Sequence, residues 1–289
     1  FLIVFFALMM HWRLPIPAHS AQSRTFAAWL AQWQKIKTLE NWPAHVRYVL
    51  IVVFPTLLLA SVFWYSEQFA WGLITFVLEI LLLLYVLIHA DTKQHLDQYQ
   101  QELRENDIEA AYHCAEQHLA LPEAKVSEDP ATLNEQVIKA LLHRWFEYFF
   151  LIVFWYMVAD VAGILLAWFS VQYARATKEE SQENIYLHIL EWAPVRLLGL
   201  TFGVAGNLMR TLPVLRNYLW QWRVNSEDVL FDIASAALAD GKSEREWHSA
   251  ADNGEAAAEE LEEWQQLHIR CVSVWLVMIA VATIGGWLL

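Results

Sequence analysis

The stretch ILEWAPVRLLGLTFGVAGN, Ile189 to Asn207, decides how the chain is read. It is apolar enough for a bilayer, yet Glu191, Pro194 and Arg196 fall within six positions of one another. An ionisable side chain in such a segment is expensive, so it faces protein or a wet cavity rather than lipid. Pro194 removes a backbone donor and frees a carbonyl, which opens the helix between the two charges. Two readings stand. One is a kinked helix whose Glu191 and Arg196 meet water at the membrane boundary, with Trp192 and Pro194 structural. The other is a polar ligand site at membrane depth.

The surroundings are those of a membrane protein. Of 289 residues, 57% are hydrophobic and 16 are Trp, a ring that favours the headgroup zone. That composition predicts an all-α, multi-pass helical protein of four to six membrane segments, re-entrant or broken helices among them, with cytoplasmic helical inserts. The net charge of −13 belongs to the parts in water and excludes nucleic acid, whose phosphates need a basic face. Cys114 and Cys271 lie far apart without metal-ligand spacing. No P-loop, dinucleotide fingerprint, HExxH or nucleophile elbow is present.

Upstream, residues 1–90 read as N-terminal membrane segments. Residues 1–10 are apolar but short for a full span, and 23–39 has the pattern of an interfacial helix. Residues 46–89 form a helical hairpin bent at Ser66-Glu67-Gln68, with Pro43 in its first turn. The loops flanking that hairpin, 11–47 and 91–147, hold ten of the 19 Lys and Arg residues and the bend holds none. The positive-inside rule puts both loops in the cytoplasm.

Residues 91–136 read as a soluble helical insert broken near Asn106-Asp107, where either residue can cap the following helix. Asp91, Asp97, Asp107 and Asp129 could bind Mg²⁺ with a phosphate, and Asn106, Asp107 and Asp129 count as candidate ligand residues; solvated carboxylates are the simpler reading. The membrane core, 137–213, opens with His143 and Glu147 at i and i+4 on one face, Arg144 beside them. They make either a headgroup-level anchor or a His–carboxylate pair able to carry protons or hold a cation. Asp160 follows inside the apolar run, with Gly163 three residues on, and a local break there would let two half-helices meet. If 148–171 spans fully, residues 172–188 lie outside; if it is a re-entrant hairpin, they stay inside. Residues 214–270 read as a second soluble region. Its acidic part, Trp247 to Gln266, shows little apolar periodicity and reads as a solvated or mobile helix or, alternatively, an acidic docking surface. Residues 271–289 form the last span.

Three blocks carry a family resemblance: RENDIEAAYHCAEQHL (104–119), ALLHRWFEYFFLIVFWYMVADVAGILL (140–166) and LEWAPVRLLG (190–199). Together with the terminal spans they resemble the AmpE family, related to the CobD/CbiB membrane enzymes of cobinamide synthesis. Where those enzymes carry Arg-Asp-Thr, this chain has Glu128-Asp129-Pro130, and AmpE is the closer match. The resemblance implies a sensory protein of the bacterial inner membrane, linked to β-lactamase induction and muropeptide recycling. It also implies a nucleotide or anionic ligand and the cytoplasmic amidase AmpD as partner. An ATP- and Mg²⁺-dependent amide-forming enzyme is the alternative the CobD/CbiB kinship implies, and a small-molecule transporter the third. For a ligand of that kind Arg196 is the expected bidentate contact.

Overall fold

The computed structural model describes residues 42–66, 73–87, 93–118, 130–177, 184–222, 224–239 and 254–286, with isolated positions between 3 and 10. The expected interfacial helix at 23–39 and Asp129 lie outside the described residues. Every described element is helical. Three helices are long and apolar enough to cross a membrane, Ala44–Ser66, Thr132–Ala176 and Gly254–Ile284, and Thr75–Leu87 is a shorter apolar helix. The chain divides into two units, and the division cuts two continuous helices, at Phe146/Glu147 and at Glu191/Trp192.

The first unit comprises Phe1–Ala90 and Glu147–Glu191. Helix α1 (Ala44–Tyr48) passes through a turn of π-helix at Val49–Val53 into α2 (Phe54–Ser66). Pro43 stands at the N-cap, where its missing N–H is no loss. Helix α3 (Leu73–Leu87) follows, and Ser66 Oγ lies 2.9 Å from Thr75 Oγ1 across the bend between them. The outward face of α2 is apolar: Leu57 is 62% exposed and Val62 56%, as expected for a surface whose solvent is lipid. Its inward neighbour is α7 (Leu151–Ala176). Tyr48 is buried there, its hydroxyl 2.8 Å from Ser170 Oγ and its ring stacked on Tyr186 at 4.3 Å.

The second unit comprises Asp91–Phe146 and Trp192–Leu289. Helices α4 (Lys93–Arg104) and α5 (Ile108–His118) meet at a tight corner. Asn106 takes φ 56° there, a conformation Asn tolerates better than most residues. Asp107 supplies the cap, its Oδ1 accepting from the Ala110 amide at 3.0 Å. Against these two helices pack α6 (Pro130–Trp145) and α11 (Gly254–Ile284), while α10 (Ser226–Leu238) packs on α6 and carries α9 (Leu208–Tyr218). Leu133, Val137, Val229, Ile233, Leu261 and Trp264 are all buried. Phe231 stacks on Trp264 at 5.4 Å, and Lys139 lies 4.7 Å over the Phe231 ring.

Helix α11 corrects the expectation of a solvated acidic segment. It runs unbroken from Gly254 to Ile284, and Gly254, Ala257, Ala258, Leu261 and Trp264 face the core at helical spacing. Three of those five are Gly or Ala, too small to register as an apolar stripe, so the row is invisible to a hydropathy reading. Their smallness permits close packing: a Cβ on Gly254 would lie 2.0 Å from the Leu103 carbonyl oxygen. The acidic residues on the flanks are used as partners, Glu262 to Arg104 and Glu260 to Asn134.

Candidate functional site at the mouth of a re-entrant hairpin

Helix α7 is long enough to cross a membrane, but it doubles back. Ala159 (φ −139°, ψ 19°) and Asp160 (φ 53°, ψ −142°) leave helical geometry in its middle. On the far side of the break, a Cβ on Gly163 would come within 1.9 Å of the Trp155 carbonyl oxygen, eight residues earlier. The ends meet as well: Arg175 Nη2 reaches the Glu147 carboxylate and Nη1 the Tyr148 hydroxyl. Residues 147 and 175 are 28 apart, which in a straight helix would separate them by about 42 Å. The two arms, 147–158 and 161–176, are about 18 and 24 Å long, short of a ~30 Å hydrocarbon layer. The segment is therefore a hairpin, the geometry that a re-entrant reading of 148–171 requires. Leu151, Ile152, Val153, Val161, Ile164 and Leu165 are buried along its arms, the condition under which non-helical backbone is tolerated at membrane depth.

Its mouth is polar. A turn of π-helix at Phe146–Phe150 places Glu147 there, only 6% of its side chain exposed, in an ion pair with Arg175. Such one-turn insertions recur at functional sites because they re-aim a side chain without ending the helix. The Arg175 guanidinium also lies 4.8 Å over the Tyr148 ring. Glu191 is buried beside the pair, its carboxylate within 4.8 Å of that of Glu147. Helix α8 (Asn184–Ala205) carries Glu191, and Pro194 inside it has no N–H for the carbonyl four residues back. That carbonyl, Leu190 O, instead accepts the Trp155 indole N–H at 3.1 Å, which fastens the start of α8 to the hairpin arm. The freed carbonyl foreseen from the proline is used in packing.

Asp160 sits exposed at the hairpin tip, away from this mouth. A residue not singled out in the sequence, Glu79 of α3, is buried, and its carboxylate accepts from Tyr156 at 3.4 Å. Its signal was available: it is the one charged residue between Trp71 and Ile88.

Arg196, in the second unit, has a different role from the ligand contact expected of it. Nη1 donates to Trp192 O at 3.0 Å, and Nη2 donates to Tyr218 O at 3.0 Å and Gln221 O at 2.8 Å. Both Nη2 hydrogens are thereby used, so a bidentate fork toward a ligand is not available in this arrangement. The guanidinium closes α8 onto the end of α9, covered by Trp192 at 4.9 Å, which in turn stacks on Trp222 at 4.5 Å and 5°. His143 and Arg144 lie half-buried in the last turn of α6. Asn106 and Asp107 are at the α4–α5 corner, shaping it and capping α5.

A family model described as "Regulatory signalling modulator protein AmpE" matches residues 31–289. Neither a curated protein nor a solved structure matches the chain. The chain therefore belongs to the AmpE family of regulatory signalling modulator proteins.

Proposed function

We propose that this protein is a non-catalytic sensor of the bacterial inner membrane, acting in β-lactamase induction and the recycling of wall muropeptides. Its ligand is a small anion carrying phosphate or carboxylate, a nucleotide or a wall fragment, read at the mouth of the re-entrant hairpin. The observation that carries the regulatory part is the family match over nearly the whole chain. The Glu147–Arg175 pair supports the ligand part. Arginine holds phosphate or carboxylate through two parallel hydrogen bonds, and here such an anion would take the place of Glu147. Removing the tie between the two ends of the hairpin frees them to separate. A segment with two arrangements, one stabilised by ligand, is what a sensor needs. The cytoplasmic amidase AmpD is the partner this reading would inform.

The test joins phenotype to binding. Deletion should alter the β-lactamase response to a β-lactam inducer, and an unchanged dose–response curve would overturn the regulatory reading. For the ligand, ATP and an anhydro-muropeptide are titrated into the purified protein. Glu147→Gln, which removes the competitor for Arg175, should bind at least as tightly as the parent. Arg175→Gln should lose binding. Equal affinity in all three proteins would dismiss this mouth as the site.

A further inference from the structure

Helix α9 presents an apolar face that stays exposed among the described residues of its unit. Thr211 and Leu215 are buried beside Gly203 and Gly199 of α8, and Tyr218 on the same side reaches Asp232 of α10. Opposite them Met209 is 82% exposed, and Leu208 and Leu212 are exposed as well. The chain continues this face past the helix end with Trp220, 81% exposed. Exposed Arg216 rises from the middle of the apolar arc and Arg210 stands at its edge.

Two independent observations say what covers it. The first is depth. Within the same unit, Arg270 Nη1 donates to Ala205 O at 3.0 Å, three residues before α9 begins. Arg270 is the last charged residue before the uncharged run Cys271–Ile284, so it marks the water edge of that span. One turn deeper, Trp275 Nε1 donates to Thr201 Oγ1 at 3.1 Å, so the end of α8 climbs alongside the span and α9 starts at its rim. The second is charge. Residues 192–226 hold Arg196, Arg210, Arg216 and Arg223 with no acidic residue, in a chain whose net charge is −13. An apolar face with basic residues and Trp, placed at the rim of a span, fits an anionic interface.

We infer that α9 and the following Trp220 lie on the anionic phospholipid surface of the bilayer crossed by Cys271–Ile284. Met209, Leu212 and Trp220 enter the headgroup–acyl boundary, while Arg216 reaches up along them to lipid phosphate. Each basic residue near an anionic surface contributes about 1 kcal/mol, or roughly fivefold in the ratio of seated to unseated helix.

The experiment places a spin label at Met209→Cys in the full-length protein, both native thiols being buried. It is reconstituted in nanodiscs of phosphatidylcholine alone or with phosphatidylglycerol. In the anionic discs the label should be open to oxygen and shielded from a water-soluble nickel chelate. The seated fraction should fall on going to pure phosphatidylcholine, and by about fivefold in ratio with Arg216→Gln. A label open to the chelate in anionic discs overturns the inference, as does one indifferent to lipid charge. Spin–spin broadening that vanishes on dilution with unlabelled protein would put a second copy on this face, and also overturns it. If Arg216→Gln does not fold, the comparison of lipids decides alone.

Discussion

Two arginines show what a sequence can and cannot say about a single residue. Arg196 stands within a recognisable block, beside a proline, and draws attention as an anion ligand. The fold spends both its Nη groups on backbone carbonyls, because α9 ends against α8 there and leaves carbonyls that need donors. Arg175 has no motif around it, and its partner Glu147 is 28 residues away. No helical or strand period links such a pair, so only the hairpin reveals it. Cys114 makes the same point on a smaller scale. Its thiol donates toward His95 O at 3.5 Å, and burial, with the Glu102 charge adding to it, pushes the thiol up to about 11. The raised value favours the neutral thiol in the folded state. That contribution to stability is complete below the ordinary thiol range near pH 8.5–9 and is lost as pH rises through about 11. Iodoacetamide at pH 8 should therefore leave Cys114 unmodified in the folded protein and modify it fully once denatured. Fast native-state alkylation, tracked by peptide mass, would contradict the burial.

Among the elements, the hairpin α7 was the most legible and also the most misleading. The pairing of Asp160 with Gly163 inside an apolar run announces a break, and the break is at Ala159–Asp160. Apolar length alone would still make the segment a span, since hydropathy carries no information on direction after a break. The two residues contribute in opposite ways. Asp160 at φ 53°, ψ −142° borders a region that glycine alone occupies freely, a strain of about 1–3 kcal/mol. Asp160→Gly should therefore hold or raise stability, by about 1 kcal/mol, because the relief exceeds the added freedom of the unfolded chain. Gly163→Ala brings a methyl within 1.9 Å of a main-chain oxygen that cannot swing away, and should destabilise by about 3 kcal/mol, the upper end for overpacking. Thermal unfolding in detergent measures both. A tolerated Gly163→Ala, or an Asp160→Gly as damaging as it, would mean the arms do not approach as described.

For the molecule as a whole, α-helical membrane architecture follows directly from composition, whereas the path of the chain does not. The acidic stretch before the last span shows why: three of its five core positions are Gly or Ala, so its burial depends on partners that no local pattern names. The side of the membrane taken by residues 172–188 was likewise open, and the hairpin now bears on it. Because Arg175 returns to Glu147, the chain leaves α7 at the level where it entered. Glu147 follows α6 in the stretch 91–147, which holds Lys93, Arg104, Lys125, Lys139 and Arg144. That concentration of basic residues reads as cytoplasmic. It follows that the loop after Thr177 should also be cytoplasmic. A Ser181→Cys variant tests this with a membrane-impermeant maleimide: label should enter in inverted membrane vesicles and be refused in intact spheroplasts. Native Cys114 and Cys271, both buried, give the unlabelled background. Labelling from the opposite face would require α7 to cross completely, and a crossing helix cannot keep Arg175 on Glu147; one experiment therefore judges the topology and the candidate site together.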